Sequence, residues 1–242
     1  MSKCIFCDEE IVKADKEKAK QVGLQLEKSK NNLLSIFYQH IFDYCPNCKM
    51  VELILTDSEK KVLLDKKGKV FEILNNKELE GIDENKAIRQ AEVKGYACEL
   101  LNDNVGAVLG YKASVDLLNA YINNFLEERA KSVLNKDGKS FKILDRSEMK
   151  TFEYAKQHRD LLNRLILGKF DESVFSSIGI LGFLIFIDTI LDLTELGVQD
   201  DKMLAYASRM LESLKKEDLK EEFKPVVDEL ENKYLSIMKS RE

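Results

Sequence analysis

The sequence predicts a mostly α-helical chain with a small cysteine-bearing module near its N-terminus. Three observations carry this. Only 2 prolines and 11 glycines occur in 242 residues, and so few helix breakers favour helices. From Asp83 onward, apolar residues recur near helical spacing. Four of the five cysteines form two close pairs, Cys4 with Cys7 and Cys45 with Cys48. With 44% hydrophobic and 33% charged residues, the composition is globular and can bury a core of good size.

The elements follow in chain order. Residues 1–56 form a metal module, and 57–242 an α-helical domain. Ile36 to Tyr44 alternates and leads into the second cysteine pair, and Met50 to Leu55 follows it. Both are rich in β-formers and read as short strands. The charged stretch Asp15 to Asn32 is a helix or a long inserted loop. Val62 to Leu64 and Val70 to Leu74 flank a turn at Gly68, as a hairpin or as the junction of two helices.

Asp83 caps a helix running to about Leu101, and Asn102 to Asn104 breaks it. A second helix spans about Val105 to Val133. After the turn at Asn135 to Gly138, Asp145 and Glu148 resemble a capping box for a helix through Leu167. Another helix runs from about Glu172 to Leu196, with Gly197 as its C-cap. Asp200 or Asp201 opens a helix to about Lys215. Pro225 starts the last, with Val227, Leu230, Tyr234 and Ile237 on one face.

The two CxxC pairs carry the chemistry. Cysteines three apart wrap one metal ion as a tight knuckle, and two facing knuckles make a tetrahedral Cys4 site that suits zinc. Cys4, Cys7, Cys45 and Cys48 are therefore the expected ligands, with iron as the open alternative. Four ligands fill the tetrahedron, so the expected role is structural. Asp8 and Lys49 stand where a glycine often follows the second cysteine. A redox CxxC would stand alone at a helix start.

The remaining candidates read as structural. Cys98 lies mid-helix with no base partner in sequence and is expected in a core. His40 and His158 are isolated, and His158, on a charged helix, is expected at the surface. Asp188, Asp192 and Glu195 share one face of the most apolar helix. Without Glu-x-x-His partners they do not make a di-metal site, and they are expected as its solvated face. The apolar run Ile178 to Ile187 is about half the ~20 residues a bilayer needs, so it is expected as the buried centre of the bundle. No catalytic constellation or catalytic residue emerges, and a non-enzyme is expected.

The formal net charge is −5, and residues 1–56 hold eight lysines against eight acids. A nucleic-acid binder usually shows a basic stripe, which is missing here. No apolar segment follows Met1 to Phe6, which argues against a secretory signal. Paired free cysteines point to the reducing cytoplasm.

Residues Ala91 to Ser114 resemble a tetratricopeptide repeat. Gly95, Ala97, Asn102, Asp103, Ala107, Tyr111 and Ala113 follow its pattern, and Gly182, Gly197, Ala205 and Ala207 fit it less well. The whole layout resembles a bacterial family of uncharacterised proteins with an N-terminal zinc ribbon followed by tetratricopeptide-like helices. The resemblance implies a fold more than an activity. Stacked helix pairs present concave surfaces for peptides or partner helices. The expected function is a zinc-binding protein-interaction adaptor with a protein or peptide partner and no membrane. A nucleic-acid-associated zinc-ribbon regulator is the alternative, and homo-oligomerisation stays open.

Overall fold

The computed structural model describes residues 2–13, 43–82, 86–134, 146–195, 197 and 201–241. These form a helical structure with nine α-helices among the described residues: α1 (Asp57–Asp65), α2 (Lys67–Leu74), α3 (Ala87–Leu100), α4 (Asn104–Leu134), α5 (Arg146–Leu167), α6 (Glu172–Ile178), α7 (Ile180–Glu195), α8 (Asp201–Leu214) and α9 (Lys224–Lys239). Among the described residues, no helix is long and apolar enough to cross a membrane.

Local chemistry explains the helix ends. Thr56 opens α1 through a capping box: Glu59 N donates to Thr56 Oγ1, and Thr56 N donates to Glu59 Oε2 at 2.7 Å. The last carbonyls of α2 take donors from Lys86 Nζ and from the buried Arg89, both on Leu74 O. The stretch from Val62 to Leu74, open in sequence between two forms, is the junction of the helices α1 and α2 and not a hairpin.

The helix expected over Glu172 to Leu196 is two helices. The chain breaks at Gly179, whose φ of +59° and ψ of −137° lie in a region essentially closed to residues with a Cβ. An unbroken apolar pattern cannot reveal such a break. The centre of the bundle is α7, packed against α5, α6, α8 and α9. Leu181, Leu184, Ile185 and Ile187 are buried, but Phe183 is exposed. The apolar run is thus a core on three sides and a surface on the fourth.

Helices α3 and α4 approach closely. A Cβ on Gly110 would stand 2.4 Å from Gly95 N, and one on Gly95 would stand 2.8 Å from Tyr111 N. The fully buried Tyr111 fills the space beyond and donates to Glu99 Oε2 at 2.6 Å. Yet α4 has 31 residues. A repeat of about 34 residues must contain two helices, so this pair departs from that pattern. Gly182, offered for a second pair, would meet its nearest neighbour at an ordinary 3.5 Å.

Two apolar clusters organise the structure. The larger joins α3 to α9. The smaller combines Cys4, Phe6, Cys45, Met50 and Val51 with Leu63 of α1, Val70, Ile73 and Leu74 of α2, and Val93 and Ala97 of α3. Apolar contact therefore crosses residue 57, and α3 lies between the clusters. Met50 to Leu55 forms no continuous strand, and among the described residues the pairing consists of isolated antiparallel bridges, Lys3 with Glu10, Val12 with Tyr44, and Tyr44 with Val51. Most of Ile36 to Tyr44, with His40, lies outside the described residues, as do Asp15 to Asn32, Asp83, Asn135 to Gly138, Asp145 and Asp200.

Candidate metal centre and a buried ion network

The two cysteine pairs build the same structure twice. Cys4 N donates to Glu9 O at 2.8 Å, and Asp8 N donates to Cys4 O at 3.0 Å. Forty-one positions later, Cys45 N donates to Met50 O at 2.8 Å, and Lys49 N donates to Cys45 O at 2.9 Å. These turns require left-handed backbone after the second cysteine. Asp8 takes φ 60° and Lys49 takes φ 66°, where other knuckles place glycine. Lys49 also lies over the Tyr44 ring, 5.5 Å from its centroid.

The knuckles face each other. Cys4 Sγ lies 3.4 Å from Cys48 Sγ, Cys7 Sγ lies 3.4 Å from Cys45 Sγ, and Cys7 Sγ lies 3.8 Å from Cys48 Sγ. All four sulfurs fall within 4.8 Å of one another. A tetrahedron with metal–sulfur bonds of about 2.3 Å has sulfurs about 3.8 Å apart, so the set fits a tetrahedral ion. Such four-thiolate sets hold zinc or iron. Among the described residues, no other group of three or more His, Cys, Asp or Glu side chains can hold a metal.

The thiols differ in their surroundings. The amide of Glu9, together with the neighbouring sulfurs, draws the exposed Cys7 thiol down to about 7. Burial pushes the Cys4 and Cys48 thiols up, so their deprotonation awaits a positive charge. The module is anchored to the helices. Gln90 of α3 donates to Lys49 O at 3.1 Å, and the Phe6 and Phe71 rings lie 5.5 Å apart.

Cys98 is half-buried against the larger core, and burial, with Asp103 nearby, raises its thiol to about 11. This agrees with the packing role expected from sequence.

Two expectations are overturned. His158 is buried, not at the surface: its Nε2 lies 2.8 Å from Glu92 Oε2, and its ring stacks on Tyr154. Asp188 and Asp192 are not a solvated face. They are 5% and 1% exposed. Lys112 of α4 donates to Asp188 at 2.7 Å and also pairs with the fully buried Asp116. Lys233 of α9 donates to Asp188 at 2.9 Å and to Asp192. Asn119 and Asn163 donate to Asp192 Oδ2, and Arg159 donates to Asn119 Oδ1 at 2.6 Å.

The partners explain the reversal. The cations come from α4, α5 and α9, up to 76 positions away, and no pattern within α7 contains them. Burial opposes every charge here, yet Lys112 and Lys233 hold Asp188 well below the usual carboxylate range. The acids in turn hold both lysines above theirs. Asp116 is the exception: burial raises it to about 7 despite Lys112.

The network opens onto a cavity of about 220 Å³ between α4, α5, α7 and α9. A second, more apolar groove of about 570 Å³ lies between α7 and α8, lined by Phe183, Tyr206, Met210 and Leu214 with Arg209 and Glu217.

Comparison with known proteins places the chain in no family: no family model matches it, and no curated protein or solved structure matches it.

Proposed function

We propose that the chain is a zinc-clamped helical scaffold that binds a partner protein and performs no chemistry of its own. Cys4, Cys7, Cys45 and Cys48 hold one zinc ion, which neutralises the thiolates and locks the N-terminal module onto α1, α2 and α3. A closed four-sulfur set leaves no open position for water or substrate, which favours a structural role over a catalytic one.

The observation that carries the partner reading is the groove between α7 and α8. Phe183 is 36% and Tyr206 45% exposed along it. Both rings rest on an aromatic layer: Phe183 stacks on Phe175, and Tyr206 meets Phe186 edge-on. Rigid, partly exposed aromatics over an apolar floor suit an amphipathic helix laid into a groove. Arg209 and Glu217 supply one charge of each sign for its polar flanks.

A photo-crosslinking residue at position 206 tests this in native extract, with Phe183→Asp as the control. A discrete cross-linked protein that disappears in Phe183→Asp, with an unchanged helical signal, supports the reading. Equal labelling in the variant removes the groove as the docking site. Cross-linking only to a second copy of the chain replaces the adaptor with a self-associating protein. Metal analysis of protein prepared with reductant tests the zinc independently, with about one ion per chain expected.

A further inference from the structure

The cavity beside the ion network has a polarity of its own. Its inner wall is made by Asn119, Arg159, Asp188, Asp192 and Lys233. Three of the network's cations, Lys112, Lys233 and Arg159, meet two firmly ionised carboxylates there, Asp188 and Asp192. The inner end therefore presents two cations, Lys233 and Arg159, beside the two carboxylates. Arg159 is 6% exposed and lines this cavity, and its Nε has no hydrogen-bond partner. Among the described residues, the one hydrogen bond of its guanidinium runs from Nη1 to Asn119 Oδ1, so of its five N–H donors others remain for an acceptor in the cavity.

The mouth is different. Asn123 and Glu195 are exposed there and Glu229 is half-buried, so the outer end carries two carboxylates and no cation among its lining groups. A purely structural core would fill such a space with apolar side chains, since burying ion pairs contributes little stability. Charge held beside a concave space is the pattern of a binding site.

We propose that this cavity binds a small zwitterion of the amino-acid class. Its carboxylate turns inward to Arg159 and Asn119, and its ammonium outward to Glu195 and Glu229. The size agrees: about 220 Å³ holds roughly seven waters, the volume of a compact amino acid and not of a nucleotide. Val226 and Leu230 of α9 line one side and contact the ligand's aliphatic part. Binding therefore bridges α9 to α4, α5 and α7.

The test is calorimetric titration of the metal-replete full chain. The panel is the twenty standard amino acids, β-alanine, γ-aminobutyrate, putrescine and succinate. At least one zwitterion binds saturably, about one per chain, and more tightly than the diamine or the dicarboxylate. Glu195→Gln, an exposed position that leaves the fold intact, weakens that ligand by about three-fold. Arg159→Lys keeps the charge but removes the planar donors, and weakens it by about ten-fold. The proposal is overturned if no zwitterion binds at millimolar concentration. It is overturned equally if putrescine or succinate binds as well as the best zwitterion, or if Glu195→Gln leaves the affinity unchanged.

Discussion

Replacing Lys233 by methionine removes one charge while keeping an unbranched stem of similar length. Lys233 is the shared partner of Asp188 and Asp192, whose side chains are 8% and 1% exposed. Both carboxylates are almost wholly shielded, so losing Lys233 leaves them with little compensation. Removing one member of a buried pair costs about 3–5 kcal/mol. Two features place this case at the lower end. The Lys233 side chain is itself 19% exposed, and Lys112 still serves Asp188. A loss of about 3 kcal/mol is expected, a large share of the roughly 5–15 kcal/mol typical of a folded domain.

The sign of the pH dependence follows from the same contacts. In the wild type, Asp188 and Asp192 are held below the ordinary value of 3.8, so their contribution is present above that pH and fades as pH falls. Without Lys233, burial lifts Asp192, whereas Lys112 still holds Asp188. Protonation of Asp192 then relieves the folded state, and the deficit is larger at pH 7.5 than at pH 5. Urea unfolding followed by far-UV circular dichroism at both pH values measures this. The double-mutant cycle with Asp192→Asn should return a coupling of about 1–3 kcal/mol. A Lys233→Met variant within about 0.5 kcal/mol of wild type at both pH values, with no coupling, would falsify the account of the network.

Three further outcomes are expected. Cys45→Ser removes a ligand from a site worth on the order of 10 kcal/mol of metal binding. Hydrogen exchange should then accelerate over residues 43–53, α1, α2 and the Val93 and Ala97 face of α3, while α4 to α9 stay protected; collapse of the whole helical signal would show that the larger core does not stand alone. Gly110→Ala places a methyl 2.4 Å from Gly95 N and forces α3 from α4, at about 1–3 kcal/mol in chemical denaturation, whereas Gly182→Ala, with 3.5 Å of room, should be neutral or better. Asp116, raised to about 7 in the folded chain from an ordinary 3.8, withdraws stability as pH rises from about 4 to 7; Asp116→Asn should flatten the dependence of the melting temperature between pH 5 and 8, and an unaltered slope would remove Asp116 as its source.

What the sequence determines by itself is local. CxxC spacing specifies a knuckle because the ligands and the turn lie within a few residues, and the structure brings all four sulfurs together as that spacing implies. The helices α4, α5, α8 and α9 are legible within a residue or two, since amphipathic periodicity and capping are near-neighbour properties. The Thr56-x-x-Glu59 capping box is equally local, and its residues alone specify the start of α1. What only the tertiary structure decides is which polar residues are buried. Asp188 and Asp192 have the helical spacing of a wet face, and His158 sits among charged neighbours. Their partners Lys112, Lys233 and Glu92 lie 41 to 76 positions away. A buried charge and an exposed one look alike in sequence, because the difference is the presence of a distant countercharge. The cavity follows from the same cause, since its walls come from four helices that meet only once the chain has folded.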